Sequence, residues 1–191
     1  MSTRERESLA HTPRLRPGGF VDHLPTAEAR ACFAAWRAAR RGAELPELHA
    51  FAPHRLPRGM VPWLLLQRLR ADGEIVYGLA GEEVTRWFGA TPKGRPVLDH
   101  VDAAERAPRL ALVRRAMRSG LPVWFAGRLL FENRDHVAVG RLCLPAVDAG
   151  ERVLLLIYFV LGKRPGPDLR VIGQPAFDAD EAVWCRPEEL A

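Results

Sequence analysis

Hydrophobic positions fall into three rhythms along this chain, and each predicts a different kind of element. The most apolar run is Val153 to Leu161, VLLLIYFVL, which follows Gly150, Glu151 and Arg152 and stops at Gly162, Lys163, Arg164 and Pro165. A run so rich in β-branched and aromatic side chains fits a strand buried on both faces. It is far shorter than the about 20 residues of a membrane-crossing helix, so no membrane insertion is expected. We read it as the central strand of an antiparallel sheet. Upstream, Ala29, Cys32, Phe33, Trp36 and Ala39 recur at helical spacing, with Arg30, Arg37, Arg40 and Arg41 on the other faces. The stripe predicts an amphipathic helix between Thr26, a good N-cap with Glu28 in the first turn, and Gly42. Such a helix either packs on its own domain or forms a dimer through Phe33 and Trp36.

From Trp63 the rhythm shortens. Trp63 to Leu69 and Glu74 to Ala80 flank Asp72-Gly73 and predict a tight hairpin. Glu82 to Phe88 predicts a brief helix closed by Gly89, and Thr91 to Asp102 a loop holding Pro92, Gly94 and Pro96. A second long helix is expected from about Ala103 to Arg118, with Leu110, Val113, Ala116 and Met117 as its buried stripe. Arg114, Arg115 and Arg118 form its solvated side, and Pro108 blurs its start. Pro122 to Phe131 and His136 to Ala146 join the central run in a three-strand meander, turned at Asn133 to Asp135 and Asp148 to Gly150.

These elements predict one α+β domain: a five-stranded antiparallel sheet with a helical insert and an N-terminal helix. Residues 1–25 are expected to be a flexible arm, broken by Pro13, Pro17, Gly18, Gly19 and Pro25. Residues 26–62 hold the N-terminal helix and a tether whose Pro46, Pro53, Pro57 and Pro62 exclude a long helix or central strand. Residues 63–162 form the core. Residues 163–191 are expected to be a C-terminal tail, opened by Pro165-Gly166-Pro167, from which Trp184 docks back.

Composition changes this picture little. A chain of 191 residues with 48% hydrophobic content is ordinary for one globular domain. The net charge of +5 is spread thinly, the tail is acidic, and Lys93 and Lys163 are the only lysines, so the charge reads as a solubility property. Cys32, Cys143 and Cys185 are widely spaced without a CxxC, which favours plain reduced thiols over a disulfide framework or zinc site. Met1 to Arg16 lacks the apolar stretch of a secretory leader, and a cytoplasmic protein is expected.

The order of two strands, a helical crossover and a meander is accompanied by four local motifs. They are YGLAGEEVTRWFG (Tyr77 to Gly89), GRPVLDHV (Gly94 to Val101), GRLCLPAVDAGERV (Gly140 to Val153) and Trp36 with Arg41-Gly42 upstream. Together they resemble a bacterial PAS-domain family of small, often stand-alone proteins, over roughly residues 34 to 162. The chain departs from that pattern at Gly78, where an Arg often follows the strand Tyr, and at Glu82, where a Thr often follows the Ala-Gly pair. The resemblance implies a sensory or protein-interaction module, not an enzyme. Such modules hold a small molecule between sheet and insert, or none, and pass changes to partners such as histidine kinases.

A direct search for chemistry finds no GxSxG, HExxH, Walker loop or GxGxxG. Asp99, His100 and Asp102 are the densest titratable cluster, and neighbours in sequence point in different directions, so the cluster reads as a helix-entry turn. His100 is the only histidine placed for haem ligation, and Val84 to Phe88 lacks the cysteine of a flavin photosensor. A pocket between insert and sheet is expected to be lined from Tyr77, Trp87, Leu98, His100, Val113, Met117, Trp124, Cys143 and Tyr158, residue types that also fill cores. The alternative is a nucleic-acid-associated regulator using Arg114, Arg115 and Arg118, although no helix-turn-helix partner precedes them. A small-molecule enzyme centred on His100 ranks third.

Overall fold

The computed structural model describes residues 18–89, 93–99, 101–133, 136–164, 166, 168–173 and 182–190. Its strands are β1 (Leu64–Leu69), β2 (Ile75–Ala80), β3 (Val123–Phe131), β4 (His136–Asp148), β5 (Glu151–Val160), β6 (Val171–Gly173) and β7 (Val183–Trp184). Its helices are α1 (Ala27–Ala39), α2 (Glu82–Phe88) and α3 (Ala103–Ser119). The expected five-stranded antiparallel sheet is present in the order β2-β1-β5-β4-β3, with the apolar run at its centre as β5. Two short strands extend it beyond expectation. β6 and β7 both pair with β3, so residues 163–191 are not only a tail. Runs of three and two residues are too short for any periodicity to announce them.

Successive side chains of a strand face opposite sides, and here both sides are covered. Leu154, Leu156 and Tyr158 of β5 face one way and Leu155, Ile157 and Phe159 the other, and all six are buried. The insert covers the first face: Arg152 donates to the carbonyls of Met117 (2.7 Å) and Arg118 (3.1 Å), fastening the end of α3 to β5 and satisfying orphan helix carbonyls. Pro108 lies inside α3 without ending it.

The helix expected after Thr26 forms, with the threonine hydroxyl accepting from the Ala29 amide at 3.1 Å. Its apolar stripe does not look outward. Phe33 and Trp36, expected at a dimer interface, are 2% and 0% exposed within a single chain. The reason lies at the edge of β4. β3 pairs with β4 only as far as Cys143, so beyond it that edge of β4 lacks a strand neighbour among the described residues. Pro145 there has no N–H to offer, its carbonyl accepts the Trp36 indole N–H at 2.6 Å, and the Val147 amide donates to the Pro46 carbonyl at 3.0 Å. The proline-rich stretch is likewise more than a tether. It contains two 3-10 turns, Leu48–Ala50 and Arg58–Trp63, and buries Phe51, Leu56 and Met60.

Two further 3-10 turns, Phe20–His23 and Pro187–Leu190, lock together through Glu189, whose carboxylate accepts from the amides of Phe20 (2.6 Å) and Arg186 (2.8 Å). Burial alone would raise this carboxyl's pKa, but those bonds and the Arg186 charge hold it below the usual glutamate value. A carboxylate whose folded pKa is depressed stabilises the fold above its unfolded pKa, and that contribution disappears as pH falls through the folded value. Glu189→Gln is therefore expected to lower stability at pH 7 by about 1 kcal/mol or less, given solvent screening. In urea melts the gap to the parent chain should close toward pH 3. A gap independent of pH would rule the carboxylate out as its source.

Candidate functional site

Between the insert and the sheet lies a cleft of about 780 Å³. Its floor comes from alternate residues of four strands: Leu65 and Gln67 of β1, Leu156 and Tyr158 of β5, Arg141 of β4 and Phe125 of β3. Tyr77 of β2 closes one end. Val84 and Phe88 of α2 and Leu112 and Val113 of α3 supply apolar walls, and Val97, Leu98 and Asp99 the lip. The lining combines these apolar walls with polar surface in comparable measure, and such placed polar groups are what orient a small molecule.

The polar groups are unequal. At the lip, Arg95 pairs with Asp99 at 2.7 Å, and on α3 Arg109 pairs with Glu105 at 3.4 Å. Arg141, on the floor, has no carboxylate partner among the described residues, and its buried Nε lacks any hydrogen bond. Register places it between aromatics: Phe125, Arg141 and Tyr158 are directly opposite one another on adjacent strands. The guanidinium carbon lies 5.2 Å from the Phe125 ring centroid and 5.5 Å from that of Tyr158, within cation–π range. Gln67 is 4% exposed, and its Oε1 is buried without a partner among the described residues. The Tyr77 hydroxyl accepts from the Leu98 amide at 3.3 Å, which ties the insert loop to the sheet. Burial pushes the Tyr77 hydroxyl above the usual tyrosine range, with the Leu98 bond opposing and Asp99 assisting. Burial also raises Tyr158, against the pull of Arg141. Both phenols are therefore neutral hydrogen-bonding groups at neutral pH.

Of the residues expected to line a pocket, Tyr77, Leu98, Val113 and Tyr158 do so. Trp87 is buried instead in an edge-to-face chain, 4.8 Å from Trp63 and 5.1 Å from Phe131, and Met117 lies fully buried on α3. Cys143 shares the cleft-facing side of β4 with Arg141 but is completely enclosed. Trp124 corrects the reading outright: it is one residue from Phe125, so it faces the opposite side, against Phe159 at 5.7 Å. His100 lies outside the described residues. Gly78, where the chain departs from the family pattern, also faces away from the cleft, over Leu66. Sequence reasoning missed Gln67, Arg109 and Arg141. A signal for two of them existed: Arg141 is a single charge within an apolar run of β4, and Gln67 follows three leucines in β1.

Arg114 donates to the Gly73 carbonyl at 3.5 Å and Arg115 lies 4.5 Å over the Trp184 ring, so these two do not project as a free row. The thiols of Cys32, Cys143 and Cys185 are each pushed up to about 12, chiefly by burial, and are free cysteines. Among the described residues no group of three or more His, Cys, Asp or Glu is placed to hold a metal ion, and no helix is long and apolar enough to cross a membrane.

A family model described as a PAS domain matches residues 24–157, which takes in α1, the proline-rich stretch, β1, β2, the insert, β3, β4 and most of β5. No curated protein and no solved structure matches the chain.

Proposed function

The chain belongs to the PAS domain family, and from that premise we propose that it is a cytoplasmic, non-enzymatic sensor whose cleft takes a small molecule and whose response passes to a partner protein such as a histidine kinase. The observation that carries this reading is the buried Gln67 Oε1, without a hydrogen-bond partner among the described residues, beside a cavity of about 780 Å³. A buried acceptor left without a donor costs about 1–3 kcal/mol. Such a group is costly in an empty site and useful in an occupied one, where a ligand supplies the donor.

The test is native mass spectrometry of freshly purified protein, compared with its denatured spectrum. The expected result is a small-molecule adduct that is lost on denaturation. Gln67→Leu, similar in volume, should carry less adduct while its emptied form gains about 1 kcal/mol in urea melts, because the orphaned oxygen is gone. A bare chain mass together with partner capture indifferent to Gln67→Leu would leave the cleft without a role and overturn the reading.

A further inference from the structure

Resting on that reading, we propose that the occupant of the cleft is an organic carboxylate with an aromatic or apolar body, its carboxylate set on Arg141 and its body along Val84, Phe88, Leu65 and Leu156. Charge pairing points this way. Arg95 and Arg109 each have an acid within 3.4 Å, whereas Arg141, half-buried on the sheet itself with its Nε enclosed, has none among the described residues. Phe125 and Tyr158 attract the cation without neutralising it. An arginine keeps its charge in proteins, and the edge of the guanidinium enclosed at Nε is stabilised by an anionic partner. The guanidinium is planar and flanked by rings, so the hydrogen bonds it has left to give lie in its own plane, the geometry a carboxylate accepts in pairs.

Gln67 fits the same occupant. Its last side-chain torsion is soft, so the amide presents either its oxygen or its NH₂ to the cavity. Next to a carboxylate the NH₂ adds a donor; next to a hydroxyl on the ligand the oxygen accepts. Asp102, an acid at the mouth with no ion pair among the described residues, is exposed at the start of α3, where water screens it, while Arg141 acts at the floor.

The experiment compares two probes of one shape, 2-naphthoate and the neutral 2-naphthamide, by calorimetric titration into the full chain, its Arg141→Gln variant and its Arg141→Lys variant. The acid should bind the parent chain at least about tenfold more tightly than the amide, the range expected for hydrogen bonds to a charged group. Arg141→Gln should abolish that preference with amide binding unchanged, and Arg141→Lys should restore part of it. Equal binding of acid and amide overturns the carboxylate proposal and leaves the ligand cleft standing. Acid binding that survives Arg141→Gln also overturns it, by moving the anion site elsewhere. Binding of neither probe overturns both readings. The comparison of probes on the parent chain decides the matter even where a variant fails to fold.

Discussion

Replacing Trp36 with alanine is expected to destabilise the domain by about 3–5 kcal/mol, the range for removing a fully buried large aromatic side chain. Trp36 has no exposed surface and stacks near Phe33, 6.1 Å between centroids, so α1 is seated on the sheet through it. It also donates to the Pro145 carbonyl at 2.6 Å. Trp36→Phe separates the two contributions: most of the packing stays, the hydrogen bond goes, and about 1–2 kcal/mol should be lost. Urea melts measure both. At this chain length a loss of 3–5 kcal/mol corresponds to roughly 6–20 °C in Tm. A shift below about 1 kcal/mol for Trp36→Ala would mean that α1 is not an integral layer of the fold.

The second large effect is expected at Gly140, on the central part of β4. A Cβ built there would lie 2.0 Å from Cη2 and 2.3 Å from Cζ2 of Trp124, whose indole crosses the glycine on its way to Phe159. A buried indole in a packed layer has nowhere to retreat. Gly140→Ala should therefore cost about 3 kcal/mol, the upper end for overpacking. The remedy is specific. In the Gly140→Ala background, Trp124→Leu frees the space, and the double variant should be more stable than the sum of the two single losses by about 1 kcal/mol or more. Strict additivity would show that the alanine is absorbed elsewhere, and the pairing of Gly140 with Trp124 would have no energetic content.

Element types were legible in this sequence and strand faces were not. The apolar run placed β5 at the centre, the Thr26 cap and the Trp36 stripe placed α1, and Asp72-Gly73 placed the first hairpin. A stripe says that a helix face is buried without saying against what, which is why a dimer seam at Phe33 and Trp36 stood beside packing on the chain's own domain. The error at Trp124 has the same root. Where both faces of a sheet are covered, polar alternation no longer marks the inner side, so Trp124 and Phe125 could not be told apart. Gln67, beside Arg68 in LLLQRL, and Arg141 in VAVGRLCLPAV were visible as polar residues in apolar strands, yet in a sheet with one wet face such residues simply point to water. With the opposite face covered by residues before β1, these two lie instead under the insert, on the cleft floor. β6 and β7 were hidden for a different reason: pairing to the edge of β3, not any internal pattern, makes them strands.

The Glu189 contact has a topological corollary. Phe20 and Glu189 touch, so the described chain leaves the fold where it enters it. Such a closed path can be cut open elsewhere and rejoined. A circular permutant that links the region after Glu189 to the region before Phe20 and begins at Gly73, in the exposed hairpin turn, would keep every strand pairing of the sheet. For the same reason, the domain could be spliced into a loop of another protein without pulling its own layers apart.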